Sequence, residues 1–196
     1  MNRKSLDHLL AAGGLAIAAV LVAAGALLTW AHTYVHNEVH SQLAAQKVYF
    51  PPKGSDALKS ADIGPFLNKY AGQQLVSGAQ AKAYADHFIA VHLKAIGGGQ
   101  TYAQLSSQAQ ANPTDQKLAG EVQTVFRGET LRGLLLNAYA FDTMGSIAAI
   151  ASIVAFLGAG VMALLGGLGF VHARRVHATT VPDAAPTFPS HEMINS

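Results

Sequence analysis

The chain has 196 residues, 51% hydrophobic and 12% charged, with no cysteine and a formal charge of +2. A soluble domain carries about 25% charged residues, so this composition points to a membrane. A disulfide scaffold is excluded, the aliphatic content is too high for a disordered chain, and so small a charge implies no nucleic-acid partner.

The apolarity is concentrated in two uncharged runs, Leu9 to Thr33 and Thr143 to Ala173. As a helix rising about 1.5 Å per residue, Leu9 to Trp30 reaches about 33 Å, enough for a hydrocarbon core of about 30 Å. The second run is longer and must tilt or project from the lipid. The sequence therefore predicts an all-α membrane protein with two transmembrane helices flanking an extracytoplasmic helical domain. Its parts are a cytoplasmic N-terminal tail over 1–8, helices over 9–33 and 143–173, the outer domain over 34–142, and a disordered cytoplasmic tail over 174–196. Arg3 and Lys4 precede the first run, and Arg174 and Arg175 follow the second, which places both ends in the cytoplasm of a plasma-membrane protein. Trp30 and Tyr34 close the first run while Tyr139 and Phe141 open the second, as aromatic residues do at a headgroup layer. A competing reading is a signal peptide cleaved near Ala24-Gly25-Ala26, leaving a single span.

The outer segment reads as mostly helix. Thr33 to Lys47 extends the first helix until Val48-Tyr49-Phe50-Pro51-Pro52 imposes an extended stretch. A loop to about Gly64 precedes a helix over 77–96, which Gly97-Gly98-Gly99 stops. Thr101 with Gln104 forms a capping-box pattern, and Asn112 before Pro113 reads as the N-cap of a last helix running on into the second span. The expected core is Phe66, Leu67, Tyr70, Tyr84, Phe88, Ile89, Leu93, Ile96, Leu105, Leu118, Val122, Val125 and Phe126. His92 lies four residues from both Phe88 and Ile96 and is expected on the apolar face. Glu129 and Arg132 are spaced to pair.

Two features of the chain bear on function. His32, His36 and His40 lie four apart on one helix face, with neighbours about 6 Å apart along the axis. Two of them, His36 and His40 first, can chelate Zn²⁺ or Cu²⁺, with His32, Glu129, Asp142 or His92 as supplementary ligands. The plainer reading is an interfacial polar stripe, and no cofactor is required. Ala155, Ala159, Ala163 and Gly167 form a small-residue stripe that receives either the first span, a second copy or a membrane-protein partner. No charge lies within either run, against an ion pump. There is no G-x-S-x-G, no H-E-x-x-H and no cysteine nucleophile, and the triple glycine lacks a phosphate-loop context.

The stretches QLAAQKVYFPP (42–52), AYADHFIAVHLKAIGGGQTY (83–102) and FRGETLRGLLLNAYAF (126–141) resemble a family of small two-span membrane proteins of actinobacteria. Some relatives of this type bear an automatic label of aromatic ring-opening dioxygenase. Such oxygenases need an iron site in a soluble fold, and no compact His/Glu cluster of that kind is readable here. The resemblance implies topology and supplies no activity. The expectation is a non-enzymatic membrane-anchored module presenting a helical surface for self-association or partner docking, with a metal-dependent histidine site as the alternative.

Overall fold

A computed structural model describes the backbone of residues 3–178 and the side chains of 8–172. The side chains of Arg3, Lys4, Arg174 and Arg175, on which the orientation rests, and the tail from Thr179 lie outside those described residues. The described residues are 82% helix and contain no strand. The helices in order are α1 (Arg3–Ala45), α2 (Asp56–Lys59), α3 (Gly64–Leu67), α4 (Gly78–Tyr84), α5 (Ala90–Ile96), α6 (Tyr102–Ala111) and α7 (Gln116–Ala178). A 3₁₀ turn, Asn68–Tyr70, follows α3, and a π turn, Ala85–Ile89, joins α4 to α5. Among the described residues two helices, over His8–Ala45 and Gln116–His172, are long and apolar enough to cross a membrane.

Contacts divide the chain into two units, the described parts of Met1–Ala24 with Val154–Ser196, and Gly25–Ile153. In the first unit, α1 and α7 meet through small residues. A β-carbon on Gly14 would lie 3.6 Å from the Met162 carbonyl oxygen, and one on Gly166 would lie 3.1 Å from the Ala11 carbonyl oxygen. Ala11, Ala18 and Ala159 are buried. Removing side-chain bulk lets the two backbones approach, and dispersion across the close contact then holds them.

In the second unit, α1 ends where Lys47 takes a left-handed φ of 54°. That conformation is normally glycine's and closes a helix at its C-terminus. The extended stretch after it is paired: Phe50 donates its N–H to Gln73 O at 2.9 Å, Leu75 to Val48 O at 2.9 Å, and Gly72 to Pro51 O at 3.0 Å. Phe50 is thereby buried between the rings of Tyr70 and Tyr84.

From Gly78 to Ile96 the helix is continuous but its register is not uniform. In an α-helix a row of every fourth residue drifts by about 40° per step. The π turn absorbs extra residues, and Ala81, Ala85, Ile89 and Leu93 stay together on the buried side. The expected row Phe88, His92, Ile96 is displaced outward, so His92 and Ile96 are exposed, which corrects the core position assigned to them. His92 donates from Nδ1 to the Phe88 carbonyl at 2.7 Å instead. Gly98 and Gly99 carry φ of 58° and 81° and end the helix.

Both capping boxes, at Ser77/Gln80 and Thr101/Gln104, are formed. The N-cap of α7 differs from expectation. Asn112 closes α6, its side-chain amide donating to Gln108 O, while the Asp115 carboxylate accepts the Leu118 N–H at 3.0 Å. Only Asp115 places an oxygen in front of the free N–H groups of the first turn. From there α7 runs unbroken through Gly128, Gly133 and Gly145. Gly128 and Gly145 are sites of close approach for Leu93 and Val35.

The core of this unit combines Val39 and Leu43 of α1, Phe50, Leu58, Ile63, Leu67, Leu75, the row on α4 and α5, and Leu135 of α7. Of the expected core, Leu67, Ile89, Leu93, Leu105 and Val125 are buried, whereas Phe66 and Phe126 are exposed.

Candidate functional site

In the second unit α1 and α7 run antiparallel, and the histidines of α1 meet α7 from Asp142 to Gly145. Gly145 permits the approach: a β-carbon there would lie 3.3 Å from Val35 Cγ1. Its carbonyl oxygen is 3.0 Å from His32 Nδ1. A carbonyl only accepts, so Nδ1 of His32 carries the proton and donates it. One turn on, His36 Nδ1 lies 3.2 Å from Asp142 Oδ1, and the same logic makes it a donor to the carboxylate. The two imidazoles stand with centroids 6.0 Å apart and planes 28° apart. His40 is exposed. Glu129 pairs with Arg132 at 3.3 Å. Among the described residues no group of three His, Cys, Asp or Glu side chains is arranged to hold a metal ion. The structure thus brings together His32, His36 and Asp142.

Asp142 is held from another side as well. The first residue of α4, Gly78, packs directly on its side chain. Further along the same faces, Asp86 joins α4–α5 to α7. It accepts from Lys82 at 2.5 Å and from Arg132 Nη2 at 3.4 Å. The hydrogen bond from Lys82 is the main influence holding the Asp86 carboxyl below its ordinary range, and the same bond raises Lys82. The Lys82–Asp86 pair is visible in sequence as an i,i+4 spacing. Its connection to Arg132, 46 residues away, has no such signature.

A groove of about 530 Å³ lies between α1 and α7 in this unit. Val35, Val39, Leu43, Leu134, Leu135 and Phe141 form its apolar surface, and Glu38, Gln42, Gln46 and Asn137 provide polar groups along it. Leu135 is 3% exposed and anchors the core; its neighbour Leu134 is 60% exposed and Phe141 57%. Sequence reasoning missed the groove because its walls come from residues about 100 positions apart, each wall reading only as one side of a long apolar helix.

Of the small-residue stripe, Ala159 is buried and Ala155 half-buried. Ala163 is exposed, and a β-carbon on Gly167 would meet nothing within 4 Å. Gly158, Met162, Gly166 and Gly169 face α1.

Compared with protein-family models, with curated proteins and with solved structures, the chain matches none.

Proposed function

We propose that the protein is a two-span plasma-membrane protein with cytoplasmic ends, whose outer helical segment is a non-enzymatic module that self-associates through the groove between α1 and α7. Exposure supports the membrane placement. In an apolar 18-residue stretch of each of the two long helices only 17% is buried. Leu10, Val20, Leu157, Leu164 and Leu168 all stay uncovered, which hydrocarbon tolerates and water penalises. Trp30 and Tyr34, stacked 5.6 Å apart, suit the headgroup layer where the outer segment begins.

The observation that carries self-association is that one patch holds both a groove and projecting apolar side chains. A two-fold interface uses the same surface on both copies, so that surface must offer a hollow and the knobs that fill it. Leu134 and Phe141 project beside the hollow formed by Val35, Val39 and Leu43. Polar groups along an apolar centre also match the anatomy of protein interfaces.

The absence of cysteine gives a clean test, because a single introduced cysteine cannot form a disulfide within its own chain, and a product of twice the chain mass identifies a second copy. Cysteine at Gln42, Gln46 or Asn137 is expected to yield an oxidised dimer in native membranes, and cysteine at Gln110, on α6, to yield none. Leu134→Arg should abolish the dimer without unfolding the chain. A single-chain mass for the wild type in native mass spectrometry would remove the proposal.

A further inference from the structure

His32 and His36 have a property that His40 lacks. Each has its Nδ1–H given to an oxygen of α7, the Gly145 carbonyl at 3.0 Å and the Asp142 carboxylate at 3.2 Å. Fixing the proton on Nδ1 leaves Nε2 of each neutral ring as a free lone pair. Metal-binding histidines are typically prepared in this way: the second nitrogen donates to a carbonyl or carboxylate, which sets the tautomer, limits ring motion and raises ligand basicity. We propose that His32 and His36 form a two-imidazole site for a divalent cation of the Cu²⁺/Zn²⁺ class. Their Nε2 atoms are the ligands, and Gly145 O and Asp142 are the acceptors that orient them.

The spacing suits the chemistry. Residues four apart face the same side of a helix, and these ring centroids are 6.0 Å apart. Bonds of about 2.0–2.1 Å from each nitrogen let one ion lie between rings at such a separation. The planes differ by 28°, so closure on one ion requires a turn about a Cβ–Cγ bond, a broad torsion for histidine. His36, the more exposed of the two with its side chain 57% exposed and the longer hydrogen bond, makes this small adjustment while its Nδ1–H stays directed at Asp142. Water fills the remaining positions, since no third protein ligand is in place among the described residues. Two imidazoles and water favour Cu²⁺ over Zn²⁺ by the general order of divalent affinities.

The structure also chooses between the two neighbouring pairs. His36 and His40 have the same four-residue spacing, but only His32 and His36 both carry an oriented second nitrogen. The site does not depend on self-association, and its test is independent of oligomeric state.

The test is titration of the full chain, purified in detergent without a polyhistidine tag, with Cu²⁺ alone, followed by calorimetry and by the nitrogen splitting in the electron paramagnetic resonance spectrum. One ion per chain with two coordinated nitrogens is expected. His32→Ala and His36→Ala should each remove the two-nitrogen spectrum, and His40→Ala should leave it. Asp142→Asn should weaken binding about 10-fold, the lower end of the usual cost of losing such an orienting partner. A spectrum unchanged by His32→Ala, or lost equally with His40→Ala, would overturn the assignment. Circular dichroism of each variant separates loss of metal from loss of fold.

Discussion

A β-carbon on Gly78 would lie 2.5 Å from the Asp142 Cβ and 2.7 Å from its Oδ2. The start of α4 is therefore pressed onto α7 at the residue that accepts the hydrogen bond from His36. Because the nearest atom is a β-carbon and not the end of a flexible chain, the backbone itself must move to admit a methyl group. Gly78→Ala is expected to destabilise by about 1–3 kcal/mol, the usual cost of overpacking. Gly120 in α7 has nothing within 4 Å of the corresponding position, so Gly120→Ala should stabilise by about 0.5–1 kcal/mol through its helix preference. Unfolding midpoints of the two variants in detergent check both signs, and equal shifts would contradict the seating of α4 on Asp142.

The Lys82–Asp86 pair makes a pH prediction with two limits. Asp86 is lowered, chiefly by the hydrogen bond from Lys82, so its contribution is complete above the ordinary carboxylate value of about 4 and fades as pH falls through the lower folded value. Lys82 is raised by the same bond, so its contribution is complete below about 10.4 and fades as pH rises through the higher folded value. Both side chains are partly exposed, which limits the pair to about 1 kcal/mol or less. Asp86→Asn should lower the thermal midpoint by a constant amount across the neutral range. Comparing wild type and variant over the full pH range should show the difference closing in acid and only shrinking in strong base, where Arg132 still pairs with Asp86; a difference that persists in strong acid would assign the effect to packing.

Features governed by a few adjacent residues were legible in the sequence. Thr101 with Gln104, the Gly97–Gly99 stop and the outward extension of α1 each depend on chemistry within about one turn. Longer-range features were not. The π turn displaced His92 from the apolar face, and no local pattern marks where hydrogen bonding changes from i→i+4 to i→i+5. Phe50 gave no core signal, since its burial depends on backbone pairing with Gln73 across a loop. Asn112 and Asp115 both had cap chemistry, and the choice between them was made by which oxygen reaches the first turn of α7. The histidine pair illustrates the same division: the four-residue spacing is in the sequence, but what distinguishes His32 from His40 is the Gly145 carbonyl, more than 100 residues away.

Gly166 and Gly167 are adjacent in α7 and should respond oppositely to the same substitution. A β-carbon on Gly166 would lie 3.1 Å from both the Ala11 carbonyl oxygen and Leu15 Cγ, so a leucine side chain has no room unless α1 is displaced. At Gly167 the same position is open. Gly166→Leu is therefore expected to lower stability by about 1–3 kcal/mol or more, and Gly167→Leu to stay within about 0.5 kcal/mol of wild type. Thermal unfolding in detergent measures this contrast, and native mass spectrometry on the same samples reads the second role of the stripe. If Gly167→Leu keeps the midpoint but lowers the oligomeric mass, the open side at Ala163 and Gly167 packs against another chain. If both variants lose stability equally, the two long helices meet through a different face from the one built on Gly14 and Gly166.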